Sequence, residues 1–420
     1  MRTNRLLVSS KEGYNYELGG DYEFAIGPGR WKFIALDRLT SLPKTDTVVV
    51  DGVEQSRFHR EGDERERIAR TEYRWKGLGG DLQVSGEYAF NALDSAAFLF
   101  DEPMPGGTAT VQEDRYEVMT SYGRALTPAL QLQVNAGGEF SKIEQVGAGG
   151  LSRTFRRPKG LLSLAWTQSA NTEWNVSLER RVGQLNFYDF LASVDVGDGQ
   201  DNAGNPDLVP PQTWELSTEL NRKLGAWGNT TLRVYAQRID DIVDTIPIGD
   251  TGESPGNLDR ATVQGFEWKG TFQLAPLGWT GAKLDATWQM ESSDVEDPLT
   301  FEHRPISNNL QSYAKLDLRH DVPGTDWAWG GYANYTYREL DYRLTEVGRQ
   351  WEGPVFGGLF IEHKDVFGLK VRFNASNLAD GMSMWDRTVY VDRRDGQVDF
   401  RQMRNQKIGP IFAVTIGGKF

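Results

Sequence analysis

Apolar and polar residues alternate along this chain in stretch after stretch. Leu369, Val371, Phe373 and Ala375 alternate with Lys370, Arg372, Asn374 and Ser376. Ala282, Leu284, Ala286, Trp288 and Met290 alternate with Lys283, Asp285, Thr287, Gln289 and Glu291. Leu130, Leu132, Val134 and Ala136 do the same against Gln131, Gln133 and Asn135, and the last residues run Phe412, Val414, Ile416, Gly418, Phe420. A period of two places successive side chains on opposite faces of a strand. Comparable helical stretches are lacking, so the fold class read from the sequence is all-β.

Composition narrows the class further. Hydrophobic residues make up 39% of 420 and are dispersed, and no run approaches the roughly 18 apolar residues of a membrane-spanning helix. The net charge of −13 comes with no basic tract, which argues against a nucleic-acid partner. With no cysteine there are no disulfides, thiolate metal sites or cysteine nucleophiles. The first twenty residues lack an apolar core of 7 to 15 residues, so no signal peptide is read there.

Connections sort into two kinds. Short ones rich in Gly, Pro, Asn and Asp fall near 27–29, 76–80, 126–129, 169–172, 224–229, 275–281, 322–326, 365–368 and 407–410, and each reads as a tight hairpin turn. Nine hairpins imply about 18 antiparallel strands. Between them lie long polar loops such as "PKTDTVVVDGVEQSRFHREGDERER" and "DVGDGQDNAGNPDLVPP". Short turns at one end and long loops at the other describe an antiparallel transmembrane β-barrel, with periplasmic turns, extracellular loops, an apolar outer face, a polar lumen and aromatic girdles. Trp227, Trp279 and Trp327 stand at short-turn edges, where such a girdle belongs. A soluble β-sandwich would also alternate, with its apolar faces packed together. No composition break divides the chain, so residues 1–420 read as one barrel domain.

Particular motifs carry a family resemblance. "FNASNLAD" (373–380), followed about 40 residues later by "AVTIGGKF", resembles the C-terminal half of a TonB-dependent outer-membrane receptor barrel. "NPDLVPPQTWELSTEL" (205–220) is similar to the family's Asn-Pro-x-Leu-x-Pro-Glu element, through Asn205, Pro206 and Leu208, with Pro211 where the family has Glu. Gly265 and Glu267 in "ATVQGFEWKG", then Asn377 and Leu378, follow in the family's order. The resemblance implies that Phe412, Val414, Ile416 and Phe420 form the signal read by the barrel-assembly machinery. It also implies an outer-membrane location in a Gram-negative bacterium and a small-molecule ligand. TonB would be reached only through an N-terminal plug domain. Neither plug nor TonB-contacting segment is found, so the chain is expected to be an N-terminally truncated barrel.

The resemblance implies uptake of a scarce bulky nutrient, most often a ferric siderophore, otherwise cobalamin or an oligosaccharide. The alternatives are a plugless passive pore or a barrel fragment without function. A barrel-embedded hydrolase would need a Ser-His-Asp cluster; no HExxH is present, and no enzyme activity or cofactor is expected. His59, His303, His320 and His363 lack metal-ligand spacing, and His363 reads as interfacial. Asp195, Asp198, Asp201, Asn202 and Asp207 could gather calcium or form a solvated acidic loop, and the latter is favoured. "GAGG" (147–150) reads as a loop tip. Arg65, Arg67, Arg70 and Arg74 could line a lumen, or extend a strand outside the membrane. Phe98, Phe100, Tyr342, Trp351 and Trp385 could stack on a ligand or pack loops together. No single residue is assigned to ligand contact.

Overall fold

Two-residue turns set the register. Leu78 and Gly79 (φ 53° and 73°) join Gly77 to its partner Gly80, and Phe367 and Gly368 (φ 54° and 84°) join Val366 to Leu369. Positive φ at both central positions is the turn whose twist matches that of paired strands. A computed structural model describes residues 3–146, 150–197, 199–249 and 252–418. Among them every strand pairing shown by the register is antiparallel.

The chain divides into two compact units. The first comprises Met1–Ser163, Leu178–Trp214 and Ile239–Asp259; the second comprises Leu164–Ser177, Glu215–Arg238 and Arg260–Phe420. In the first, Tyr14–Ile26, Gly29–Ser41, Val53–Gly77, Gly80–Leu99, Ala109–Thr127 and Leu130–Val146 pair in succession. Lys44–Val50 pairs with the far end of Val53–Gly77 and with Arg5–Lys11. The stretch read as a long polar loop after residue 42 is therefore mostly strand: Val48 and Phe58 join a buried cluster with Ala97 and Val196, and Asp51 and Gly52, at φ 49° and 84°, supply the turn. In the second unit the succession runs from Gly252–Gln273 through Ala282–Glu296, Leu310–Asp321, Trp327–Arg338, Phe356–Val366 and Leu369–Ser376 to Ile411–Gly417.

One turn differs from its sequence reading. Residues 407–410 do not close a hairpin. Val398–Lys407 pairs with Met382–Tyr390 in a separate four-stranded sheet that also holds Glu346–Gly353 and Asp341–Tyr342, whereas Ile411–Gly417 pairs with Leu369–Ser376.

Register separates the two faces of each unit. In the first, Tyr22, Phe33, Val84, Tyr116, Val118 and Phe140 share a face and are exposed. In the second the corresponding face carries Trp288, Leu316, Trp329, Leu359, Ile361 and Phe373, also exposed. Apolar surface left in water costs about 25 cal/mol per Å², and contiguous apolar faces of this extent mark contact with lipid or a partner. A sandwich would have buried these side chains. Aromatic groups gather near the short turns: Trp31, Phe33, Tyr73 and Trp75 in one unit, and Trp279, His320, Trp329, Trp327 and His363 in the other. His363 lies edge-on to Trp327, with centroids 4.6 Å apart. No helix among the described residues is long and apolar enough to cross a membrane.

Candidate functional site

The opposite face of each unit is charged. In the first, Arg70 donates through Nε to Glu72 at 2.7 Å and through Nη1 to Glu87 at 3.3 Å, and Arg115 reaches Glu87 at 3.2 Å. Arg74 pairs with Glu72, and Lys159 pairs with Glu117 and, at 3.3 Å, with Glu139. Cross-strand neighbours of alternating sign satisfy one another across the ladder. Of the four arginines at 65–74, Arg70 and Arg74 thus lie on the charged face. The period of two places Arg65 and Arg67 on the other, beside Asp37 at 3.1 and 3.6 Å.

Residues 183–211 form a strap over this charged face. Its short 3-10 helix Phe187–Phe190 begins at Asn186, whose side chain accepts from the Tyr188 amide. Phe190, Leu191 and Leu208 then bury against Leu93, Val111, Ile143 and Phe155 of the strands. Each such burial is worth about 2 kcal/mol, enough to hold the strap down. A cavity of about 200 Å³ remains beneath it, lined by Arg38, Glu64, Glu66, Glu113, Asn186 and Tyr188 among others. The Arg60 guanidinium stacks 4.1 Å above the Tyr188 ring. Burial raises the Asp189 carboxyl to a pKa of about 6.

The motif residues now have structural roles. Asn205 is buried, accepts from the Asp207 amide at 2.9 Å and donates to the Pro255 carbonyl at 3.0 Å, which turns the strap back toward the strand Gln212–Lys223. Leu208 is 1% exposed in the strap core, while Pro206 is exposed beside it. A Cβ on Gly265 would lie 2.6 Å from the Met290 carbonyl oxygen and 2.8 Å from the Tyr235 hydroxyl, so the glycine makes room for that ring. Glu267 pairs with Lys269. Asn377, at φ 54° and 1% exposed, donates to Gly381 and Gly409 carbonyls and accepts from the Gly381 amide. It thereby joins the turn after Leu369–Ser376 to the entry of the last strand. Leu378 donates its amide to Gly357 and leaves its side chain exposed. Phe412, Val414 and Ile416 lie on the exposed apolar face; Phe420 lies outside the described residues.

In the second unit one carboxylate gathers three loops. Asp297 is 1% exposed and accepts from Arg304 Nε at 2.5 Å, from Arg394, and from the Leu299 and Thr300 amides at 2.9 Å each. Arg394 also donates to the Arg343 carbonyl at 2.8 Å, and both guanidinium groups pack on the Tyr342 ring. Tyr342 therefore packs loops together. Burial alone would raise the carboxyl; hydrogen bonds from Arg394, Thr300, Arg304 and Leu299 outweigh it and hold the pKa at about 2. Nothing in the local sequence announced this hub, since its partners are up to 97 residues apart.

In the acidic stretch 195–207, Asp195 caps the Gly197 amide and Asn202 the Gly204 amide. Asp198 and most of "GAGG" (147–149) lie outside the described residues. Among the described residues no three His, Asp or Glu side chains are gathered as metal ligands.

Comparison with known proteins places this geometry. A family model described as TonB dependent receptor-like, beta-barrel matches residues 7–378. Among solved structures, the ferric-catecholate import receptor Fiu from E. coli K12 is similar at TM-score 0.64 and 10% identity, over 97% of this chain and 64% of that one. The pyoverdine outer membrane receptor FpvA from Pseudomonas aeruginosa PAO1 gives 0.68 and 11%, over 98% and 62%. The copper transporter OprC gives 0.62 and 11%, over 99% and 79%. The chain thus spans under two thirds of the first two.

Proposed function

The chain belongs to the TonB-dependent receptor β-barrel family, and on that premise we propose that it is the barrel through which a Gram-negative cell takes up a ferric siderophore. Other bulky chelates of scarce metals fall within the same reading. Membership carries the fold, an antiparallel β-barrel, and the location, the outer membrane. The observation that supports a receptor role for this chain is the segregation of faces: an exposed apolar side suited to lipid and a charged side partly roofed by the 183–211 strap. The loops anchored on Asp297 supply the ligand-capturing surface. Capture needs only contacts, and no bond is made or broken. Import would draw on inner-membrane energy delivered through TonB and a plug domain, with the last strand recognised by the barrel-assembly machinery.

A binding measurement tests this. Cells lacking their own receptors and displaying the chain should bind radiolabelled ferric chelates in the cold without metabolic energy. Failure to bind any chelate across catecholate, hydroxamate and citrate classes would refute the reading.

A further inference from the structure

The apolar face of the first unit is interrupted by charge at one place. Asp37 stands directly opposite Arg67 across the strand pair, with Arg65 two residues further along. Their row continues as Leu18 on one side and Phe90 on the other, so the three charges share the apolar face. Asp37 lies six residues above Trp31 near the short turn, and Arg67 eight above Trp75. That is roughly 14 and 19 Å at about 3.3 Å per residue and a tilt of about 45°. A lipid-facing band is about 25 Å tall, so both residues stand inside it. Arg65 Nη2 donates to Asp37 Oδ2 at 3.1 Å. Arg67 Nε lies 3.6 Å from the same oxygen, too far for a hydrogen bond. One carboxylate thus faces two guanidinium groups, and the N–H edge of Arg67 is left uncommitted among the described residues.

Next to this cluster, on the side of the short turns, a groove of about 840 Å³ runs over Ala35 and Ala69 among the rings of Tyr22, Phe33, Tyr88 and Tyr116. Ala35 and Ala69 pair with each other one row below Asp37 and Arg67. We infer that the cluster and the groove form one site for a phosphate-bearing lipid of the surrounding membrane, with Arg67 on the phosphate and an acyl chain in the groove. This site is independent of whichever ligand the barrel carries. A charge at such depth is expensive unless it is engaged, and the surplus guanidinium calls for an anion. Phosphate oxygens match its planar N–H fork, and basic pockets at membrane depth hold lipid head groups. A second copy of the chain would bring the same surplus cation, so like charges would meet. Inorganic phosphate would leave the groove unfilled.

The full chain is refolded in alkyl glucoside micelles, which contain no phosphate, and bound lipid is counted by native mass spectrometry. The probes are dimyristoyl phosphatidic acid, the matching diacylglycerol without phosphate, and inorganic phosphate without tails. Phosphatidic acid is expected to bind about tenfold tighter than either. Arg67→Gln should weaken phosphatidic acid about tenfold and leave diacylglycerol unchanged. Ala69→Leu fills the groove and keeps the charge, and should also weaken phosphatidic acid. Heat-dependent mobility in gels shows whether each variant has folded, and the three-probe comparison on the unmodified chain decides the matter if one has not. Equal retention of phosphatidic acid and diacylglycerol, or an unaffected Arg67→Gln variant, would overturn the site. Inorganic phosphate bound as tightly as phosphatidic acid would overturn the lipid, and an Arg67-dependent dimer formed without lipid would overturn it in favour of a second copy.

Discussion

Replacing Asp297 by Asn should loosen three loops at once without unfolding the strands. The carboxylate is 1% exposed and accepts from two guanidinium groups and two backbone amides. Its pKa of about 2, against an ordinary 3.8, corresponds to about 2 kcal/mol at about 1.4 kcal/mol per unit. The sign follows from the direction: the folded value is depressed, so the stabilisation is complete above about pH 4 and is lost as pH falls through about 2. Removing the charge at neutral pH forfeits that amount and leaves Arg304 and Arg394 in a buried setting without their shared partner, for which about 3–5 kcal/mol is typical. Hydrogen exchange at the Leu299 and Thr300 amides is the direct assay. A loss of 2 kcal/mol should speed exchange about 30-fold, at one decade per 1.4 kcal/mol. Trypsin should also begin to cut after Arg393 and Arg394. Unchanged exchange at both amides in Asp297→Asn would refute the idea that this carboxylate holds the loops.

Asp189 makes the opposite prediction, because its pKa of about 6 is raised. The folded strap favours the neutral acid, so the strap should be protected better at pH 5 than at pH 7.5, and Asp189→Asn should flatten that dependence in exchange measurements across 187–191. Gly265→Ala should lower the temperature at which the refolded chain loses its folded mobility in gels, since the added methyl meets a backbone carbonyl; Tyr235→Phe added to it should not restore stability. Asn377→Gly keeps the left-handed backbone but removes three hydrogen bonds, and should cost about 2–3 kcal/mol in urea unfolding. Deleting Phe420 should reduce the amount reaching the outer membrane while leaving refolding in detergent unchanged.

Strands were legible because register demands it: a one-residue slip would turn Leu359, Ile361 and Phe373 away from the apolar face. The turns were legible where Gly or a Gly-containing pair allows positive φ. Charge misled in 43–67, where Lys, Asp, Glu and Arg suggested a loop although "VVVDGV" carries an Asp-Gly hairpin signal. The segment 407–410 looked like a hairpin because turn chemistry is local, whereas the choice of strand partner is not. The strap and the Asp297 hub lay beyond reach for the same reason. Phe190 meets Leu93 and Asp297 meets Arg394 only after the chain has folded. Sequence position alone does not separate ligand contact from packing for the loop aromatics; for Tyr342 the guanidinium groups of Arg304 and Arg394 on its ring decide for packing.

The strand Val53–Gly77 has 25 residues, roughly 80 Å at about 3.3 Å each. Tilted by about 45°, it rises roughly 55 Å, against a hydrocarbon core of about 30 Å. Its far turn at Asp51–Gly52, where a Cβ on Gly52 would meet nothing, is therefore lifted some tens of ångströms clear of the bilayer surface. Whatever approaches the living cell from outside, an antibody or a phage tail included, would meet this turn before it meets lipid. An epitope inserted there should be stained on intact bacteria.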